Sequence, residues 1–426
     1  MHSFNRIGVV VALAAAWASS PGAAGSGGVL SVPDRASANV SIAASGRFAA
    51  IVWAASGGGT TDVFSAVSRD GGRSFAAPVR VNQTAGDASA GGEQPPRVAL
   101  TPGKGIPGIV VVWMAKGSSG TRLLSARSKD GGASFFDERP VPGSDAAGNR
   151  GWESIAAKPN GEVVALWLDH RALASGKSAP MTHAEHMHEA TGQKMDGVAR
   201  AQLSKLYFSR LDAPATVQAL TGGVCYCCKT TIASGRDGAV YAAWRHVYPG
   251  NIRDIAFTMS KDGRTFAAPV RVSDDKWAID GCPENGPALA VDANDRIHVV
   301  WPTLVPPAAA GGEPTLALFY AVSTDGRHFT PRQSIPTEGV PRHPQLAIGE
   351  DGDIVAAWDE QAGGTRRVAV ARGRPADGGT IRFVRETIDS TPRADYPVVA
   401  AADGGLVLAW TSGSGQTVIR TMRIGN

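Results

Sequence analysis

Seven segments of the chain read alike: an apolar strand, a glycine-containing turn, and a second apolar strand that closes on a tryptophan. They run Val40 to Trp53, Arg97 to Trp113, Ser154 to Trp167, Thr230 to Trp244, Ala288 to Trp301, Gln345 to Trp358 and Val398 to Trp410, and the Trp-to-Trp intervals are 60, 54, 77, 57, 57 and 52 residues. A unit of this size cannot bury its apolar faces alone and must stack on its neighbours, so the chain reads as one repeat architecture. Runs such as Val163 to Trp167 and Ile354 to Trp358 suit buried strands, and Pro159-Asn160-Gly161 and Asp351-Gly352 reverse the chain between them. Each segment is therefore a β-hairpin. The 52 Gly and 27 Pro among 426 residues exclude a long helical bundle.

A second hairpin follows most of these, and its turn carries a recurring signature. It reads Ser68-Arg69-Asp70-Gly71-Gly72-Arg73-Ser74-Phe75 and Ser128-Lys129-Asp130-Gly131-Gly132-Ala133-Ser134-Phe135, with shorter versions at Ser260 to Phe266 and Ser323 to Phe329. The Asp carboxylate can accept backbone N–H bonds, Gly supplies positive φ, and the closing Phe packs into the sheet. This motif resembles the Asp box, or BNR repeat, of the sialidase-type β-propellers, and the resemblance covers nearly the whole chain after its leader. It implies an all-β propeller of four-stranded blades. Seven blades are expected from the count, against six in the sialidases themselves. Blades three and six have degraded turns near Ser209 to Asp212 and Ala376 to Gly379. The seventh repeat supplies only one further strand, Thr417 to Ile424, so a strand near Gly28 to Val32 is expected to complete that blade and close the ring.

The first residues read as an export signal: Arg6, an apolar run from Ile7 to Trp17, then small residues ending Gly22-Ala23-Ala24. The apolar run is short for a spanning helix, which needs about 20 residues. The expectation is a leader over residues 1–24 and a single propeller domain over 25–426, periplasmic or secreted, with no membrane span in the mature form and a monomeric state. Lys and Arg number 42 against 38 Asp and Glu, and no basic cluster exceeds two residues, which offers no footprint for nucleic acid.

Topology sorts the remaining chemistry. The first-hairpin turns and Asp-box turns share one face, while the connections entering each innermost strand and those following each Trp share the other. In the family the chain resembles, that second face carries the active site. Entering the innermost strands are Glu93-Gln94, Trp152-Glu153, Cys225 to Lys229, Cys282 to Asn285, Arg342-His343 and Asp395-Tyr396; following the Trp residues are Asp169-His170-Arg171, Arg245-His246 and Asp359-Glu360. The long interval in blade three contains an insertion, about 172–205, with Met181, His183, His186, Met187, His188 and Met195, expected as an arm over this face beside blade four.

All four cysteines fall in two adjacent blades. Export permits disulfides, with Cys225 or Cys227 pairing more easily with Cys282 than Cys227 with its neighbour Cys228. Thiolate, imidazole and thioether groups together also suit a soft metal, copper or zinc. The ligands expected are Cys225, Cys227, Cys228 and Cys282, with His183, His186 and His188 as additions. The resemblance implies three arginines that clamp a substrate carboxylate, but the family's Arg-Ile-Pro signature near the first blade is absent. Arg97, Arg245, Arg342, Tyr396, Glu153 and Glu284 reach the face without matching a catalytic motif. The leading expectation is thus a binding protein, or an enzyme, with a Cys/His/Met metal site. The alternatives are an exo-acting glycoside hydrolase of the sialidase type and a disulfide-stapled module that binds a glycan or a protein on the same face.

Overall fold

The computed structural model describes residues 27–173, 197–279, 281, 283–307, 311–376, 379–388 and 393–425. Seven antiparallel sheets follow one another around a ring. Blade one, for example, is Ala36–Ser45, Phe48–Gly57, Thr60–Ser68 and Val79–Arg80 in chain order from the axis outward. Blade two splits its innermost strand into Ala88–Ser89 and Arg97–Thr101, both paired to Gly108–Gly117. The last blade takes three strands from the C-terminal end, Ala394–Ala402, Gly405–Ser412 and Val418–Gly425, and its fourth from the start of the described chain. Gly28–Leu30 pairs antiparallel with that final strand, Leu30 opposite Ile419, so the ring closes through non-local backbone hydrogen bonds as the sequence led us to expect.

The Trp that closes each first hairpin is no more than 2% exposed in all seven blades. Each sits in an apolar cluster; Trp113, for instance, packs with Val52 and Val63 of blade one and Leu124 of its own blade. The large ring fills the space between neighbouring sheets, which is why the period survives where the surrounding sequence drifts.

The Asp-box turns are built by their own side chains. Asp70 Oδ1 accepts from the backbone N–H of Arg73 and Ser74, both at 3.0 Å, and from Ser68 Oγ at 2.7 Å. These bonds hold the Asp70 carboxyl well below the usual carboxylate range, the hydrogen bond from the Ser74 hydroxyl being the largest cause. Gly72 has φ +84°, and a Cβ there would stand 2.2 Å from Val407 of the adjacent blade, so conformation and space both demand glycine. Gly71 N–H donates to Arg47 O at 2.8 Å, which places the Asp-box turn beside the first-hairpin turn on one face. No helix among the described residues is long and apolar enough to cross a membrane.

Candidate functional site

The opposite face is shaped by one repeated backbone device. Where the chain enters an innermost strand, pairing with the second strand slips between Ala38 and Ser41, Gly151 and Ser154, Arg342 and Gln345, and Asp395 and Val398. Each slip is a β-bulge, and it contains one residue with positive φ: Asn39, Trp152, His343 and Tyr396, at 50 to 56°. Glu284, before the innermost strand of blade five, has φ +45°. Side chains other than Gly adopt this region at a cost, so its recurrence at equivalent positions marks a built feature.

At blades six and seven these bulges assemble a polar mouth. His343 Nδ1 lies 2.7 Å from Asp359 Oδ1, and the Tyr396 ring covers the imidazole with centroids 4.1 Å apart. Asp359 also accepts from the Tyr396 N–H at 3.3 Å and faces Arg366, whose Nε is 3.5 Å from its second oxygen. An imidazole whose Nδ1–H is held by a buried carboxylate presents Nε2 as the proton-exchanging atom. Burial, reinforced by the charges of Glu284, Glu93 and Asp359, pushes the Tyr396 phenol far above its ordinary value, so it stays protonated and is available as a hydrogen-bond donor.

Glu93, from blade two, crosses the axis and is spent on backbone. Its carboxylate accepts from Lys229 N–H at 2.9 Å and from Gly286 N–H at 3.0 and 3.1 Å, tying blades two, four and five together. A Cβ at Gly286 would lie 2.2 Å from Lys229 O, so only glycine lets that N–H come close enough. Lys229 is buried, and loss of hydration brings its amine down to about 8 against the pull of Glu93; its Nζ donates to Pro344 O. A cavity of about 20 Å³, the size of one water, lies among Glu93, Lys229, His343 and Tyr396. Below it a channel of about 210 Å³ runs past Arg97, Lys229 and Gln345.

Blade four carries the thiols. Cys225 Sγ lies 3.5 Å from Cys228 Sγ and 3.9 Å from Cys227 Sγ, and all three sulfurs are within 4.8 Å of one another. All three residues are buried, and Cys225 and Cys228 are free thiols. Arg253 Nη1 donates to Cys225 Sγ at 3.2 Å, and Asn285 N–H donates to Cys228 Sγ at 3.4 Å. Burial alone would raise the Cys225 thiol, but the hydrogen bond from Cys228 and the charges of Arg253 and Arg245 bring it down to about 6; Cys228 is pushed up by burial and by that same partner. Asn285 links the two regions, since its Oδ1 accepts from His343 N–H at 3.3 Å.

The expected convergence on one face thus holds for Cys225, Cys227, Cys228, Glu93, Glu284, His343 and Tyr396. Cys282, His183, His186 and His188 lie outside the described residues. The described end of the blade-three insertion, the helix Gly197–Leu203, does pack on the thiol turn: Arg200 sits over the Tyr226 ring at 5.0 Å, and Gly223 N–H donates to Ala201 O.

Several residues of this face prove to be committed to the scaffold. Two residues past the Trp, the side chain returns to the Trp side of the strand and accepts the indole N–H: Trp167 to Asp169 at 3.1 Å, Trp358 to Glu360 at 3.1 Å, Trp244 to His246 Nδ1 at 3.3 Å. Asp169 further binds Arg150 and Arg171, and Glu360 binds Arg385. Arg245 donates to the carbonyls of Asn285, Arg253 and Pro302. Arg97 donates to the main-chain carbonyl of Glu153 at 2.7 Å, while the Glu153 carboxyl, fully buried beside it, rises to about 7 through loss of hydration. A clamp for a sugar carboxylate is not built from Arg97 and Arg245. Arg253 was not anticipated, because it lies in a second-hairpin strand connection with no motif around it; the only signal for Asp359 was that it is one residue, not two, past its Trp.

No family model and no curated protein sequence matches the chain. Solved structures do resemble it in fold. One, described as a polysaccharide lyase of the PL25 ulvan lyase family, superposes with a TM-score of 0.53 at 10% identity, covering 92% of this chain and 94% of that one. A protein of unknown function from Dyadobacter fermentans gives 0.51 at 12% identity, covering 95% and 98%. The GH93 α-L-arabinofuranosidase of Fusarium graminearum, complexed with arabinobiose, gives 0.50 at 11% identity over 92% and 93%. At these identities the likeness is one of architecture, and it agrees with the repeat count: the chain has a β-propeller fold of seven four-stranded blades with a buried cysteine cluster at one face.

Proposed function

We propose that the protein is a glycan-acting enzyme whose acid–base centre is His343, oriented by Asp359 and covered by Tyr396. The observation that carries this reading is the 2.7 Å His343–Asp359 contact under a protonated, half-buried phenol at the axial mouth. In this arrangement His343 Nε2 takes up or returns the proton at the reacting oxygen, Asp359 stabilises the imidazolium that forms, and the Tyr396 hydroxyl, held neutral, donates a hydrogen bond to the sugar. Glycan as the substrate class is supported by fold neighbours described as an ulvan lyase and an arabinofuranosidase in complex with arabinobiose.

Charge narrows the class further. The carboxylates around Tyr396 are Glu93, Glu284, Asp359 and Asp395, against the cations Arg366, Lys229 and Arg97; Arg366 is already paired with Asp359 and Asp395, and Arg97 donates to the Glu153 carbonyl. A neutral sugar suits such a mouth better than a uronate or a sialoside, whose carboxylate would meet like charge. The leader expected over residues 1–24 supports an activity exercised in the periplasm or outside the cell. The test is release of reducing ends from a panel of neutral and acidic polysaccharides by the purified protein. Turnover on a neutral glycan that falls in His343→Ala and Tyr396→Phe supports the assignment; equal turnover by His343→Ala refutes it, as does preference for acidic substrates the charge argument.

A further inference from the structure

The thiol cluster of blade four plays no part in the acid–base chemistry above, and its dimensions carry a separate consequence. Metal–sulfur bonds of about 2.3 Å set sulfur–sulfur edges of about 3.8 Å in a tetrahedral site and about 4.0 Å in a trigonal one. The separations from Cys225 are 3.5 and 3.9 Å, and the third edge is below 4.8 Å. We propose that Cys225, Cys227 and Cys228 together bind one soft d10 cation, Cu(I) or Zn(II), as thiolates, and do so when Cys227 is reduced.

Three observations converge on this assignment besides the distances. Three thiolates around a dication leave one excess negative charge, and around a monocation two; Arg245 and Arg253, both fully buried, lie beside the sulfurs and offset it. Donors to the sulfurs are already placed, with Arg253 Nη1 on Cys225 and Asn285 N–H on Cys228, as outer-shell groups that fix ligand orientation. The surrounding cluster of Trp152, Leu168, Leu206, Val224 and Val247 is apolar and keeps water off the sulfurs. Cys225 and Cys228 are free thiols whereas Cys227 is engaged in a disulfide, which withdraws it as a ligand and makes loading depend on redox state. A phosphine reductant opens that bond by attack of phosphorus on one sulfur, which expels the other; water then releases the first sulfur as phosphorus becomes the phosphine oxide, so that Cys227 and its former partner both end as thiols and the Cys227 sulfur is free for the cation.

The experiment uses the full exported protein, reduced anaerobically with a water-soluble phosphine, passed through a desalting column and loaded in separate arms with Cu(I) or Zn(II). Near one equivalent of ion is expected to survive gel filtration, with affinity at least about tenfold weaker in Cys225→Ser and in the air-oxidised parent. A second readout covers the case in which Cys225→Ser does not fold: in the loaded parent, Cys225, Cys227 and Cys228 are protected from alkylation, as read by peptide mass spectrometry. No ion retained by the reduced parent overturns the proposal. So does an ion that stays bound while these three sulfurs alkylate as fast as in metal-free protein, which would move the site to the His-bearing insertion.

Discussion

The thiol turn of blade four and the mouth between blades six and seven stand at the same level of the propeller and are joined through Asn285, yet they are made in different ways. In blades six and seven a single bulged residue with positive φ is turned out of the strand: His343 meets Asp359 of its own blade and Asn285 before blade five, and Tyr396 meets Asp359 of blade six. In blade four the connection is longer and replaces that residue with the Cys225 to Lys229 turn, bridged to the strand only at Val224 and His246. The first region is rich in carboxylates and partly open; the second is apolar and flanked by two buried guanidiniums. One topological position therefore carries an imidazole–carboxylate pair in one blade and a cysteine cluster in another, because the scaffold fixes where the connection emerges and leaves its length and side chains free.

The comparison is broken most directly by removing the imidazole. His343→Ala is expected to lower glycan turnover by about 10²–10⁴-fold while ion uptake by the thiols is unchanged; joint loss of both would mean one composite site. Asp359→Asn should follow with a smaller loss of about 10–100-fold, seen in kcat more than in KM, since it misorients the ring without removing it. On the sulfur side, Arg253→Met removes the guanidinium at 3.2 Å from Cys225. The pH at which Cys225 alkylates at half its maximal rate should rise from about 6 toward the ordinary thiol range of about 8.5, with glycan turnover unaffected.

The smallest effect concerns stability. The buried Glu153 carboxyl has its pKa raised to about 7, so the folded state holds a proton that the unfolded chain releases above its own value of 4.5. Its contribution is fully present below pH 4.5 and is lost as pH rises through 7. Glu153→Gln should thus be near neutral at pH 4.5 and stabilising by about 1–3 kcal/mol above pH 7, read from denaturant midpoints across that range. His246 acts in the opposite direction: burial, with the nearby Arg271 charge, lowers it to about 4, so its share of stability is present above pH 6.5 and is lost as pH falls toward 4. A midpoint that moves the same way for both residues would contradict their placement.

The repeat, the blade count and the closing strand were legible because each rests on local or periodic signals: a Trp that fills the gap between sheets, an Asp box that makes its own hydrogen bonds, and a seventh repeat one strand short. The face that gathers the chemistry followed from connectivity alone. Even the bulge left a trace, since Asn39, Trp152, Glu284, His343 and Tyr396 each stand 14 to 17 residues before their Trp.

What the linear order could not show was which of these groups are spent. Asp169, Glu360 and Arg245 look as available in sequence as Asp359, but strand parity turns the first two back toward the indoles, and three carbonyls from other segments consume the third. The partnership of His343 with Asp359 depends on a bulge that shifts register beside the Arg342–Asp359 pair, and the pairing of Arg253 with Cys225 spans 28 residues. Sequence determined the repeat because burying apolar faces is a local and periodic requirement. Tertiary structure decided the site because hydrogen-bond partners and burial are set by what other blades bring to the axis, and the same carboxylate is a scaffold strut or a reactive group according to which side of its strand it faces.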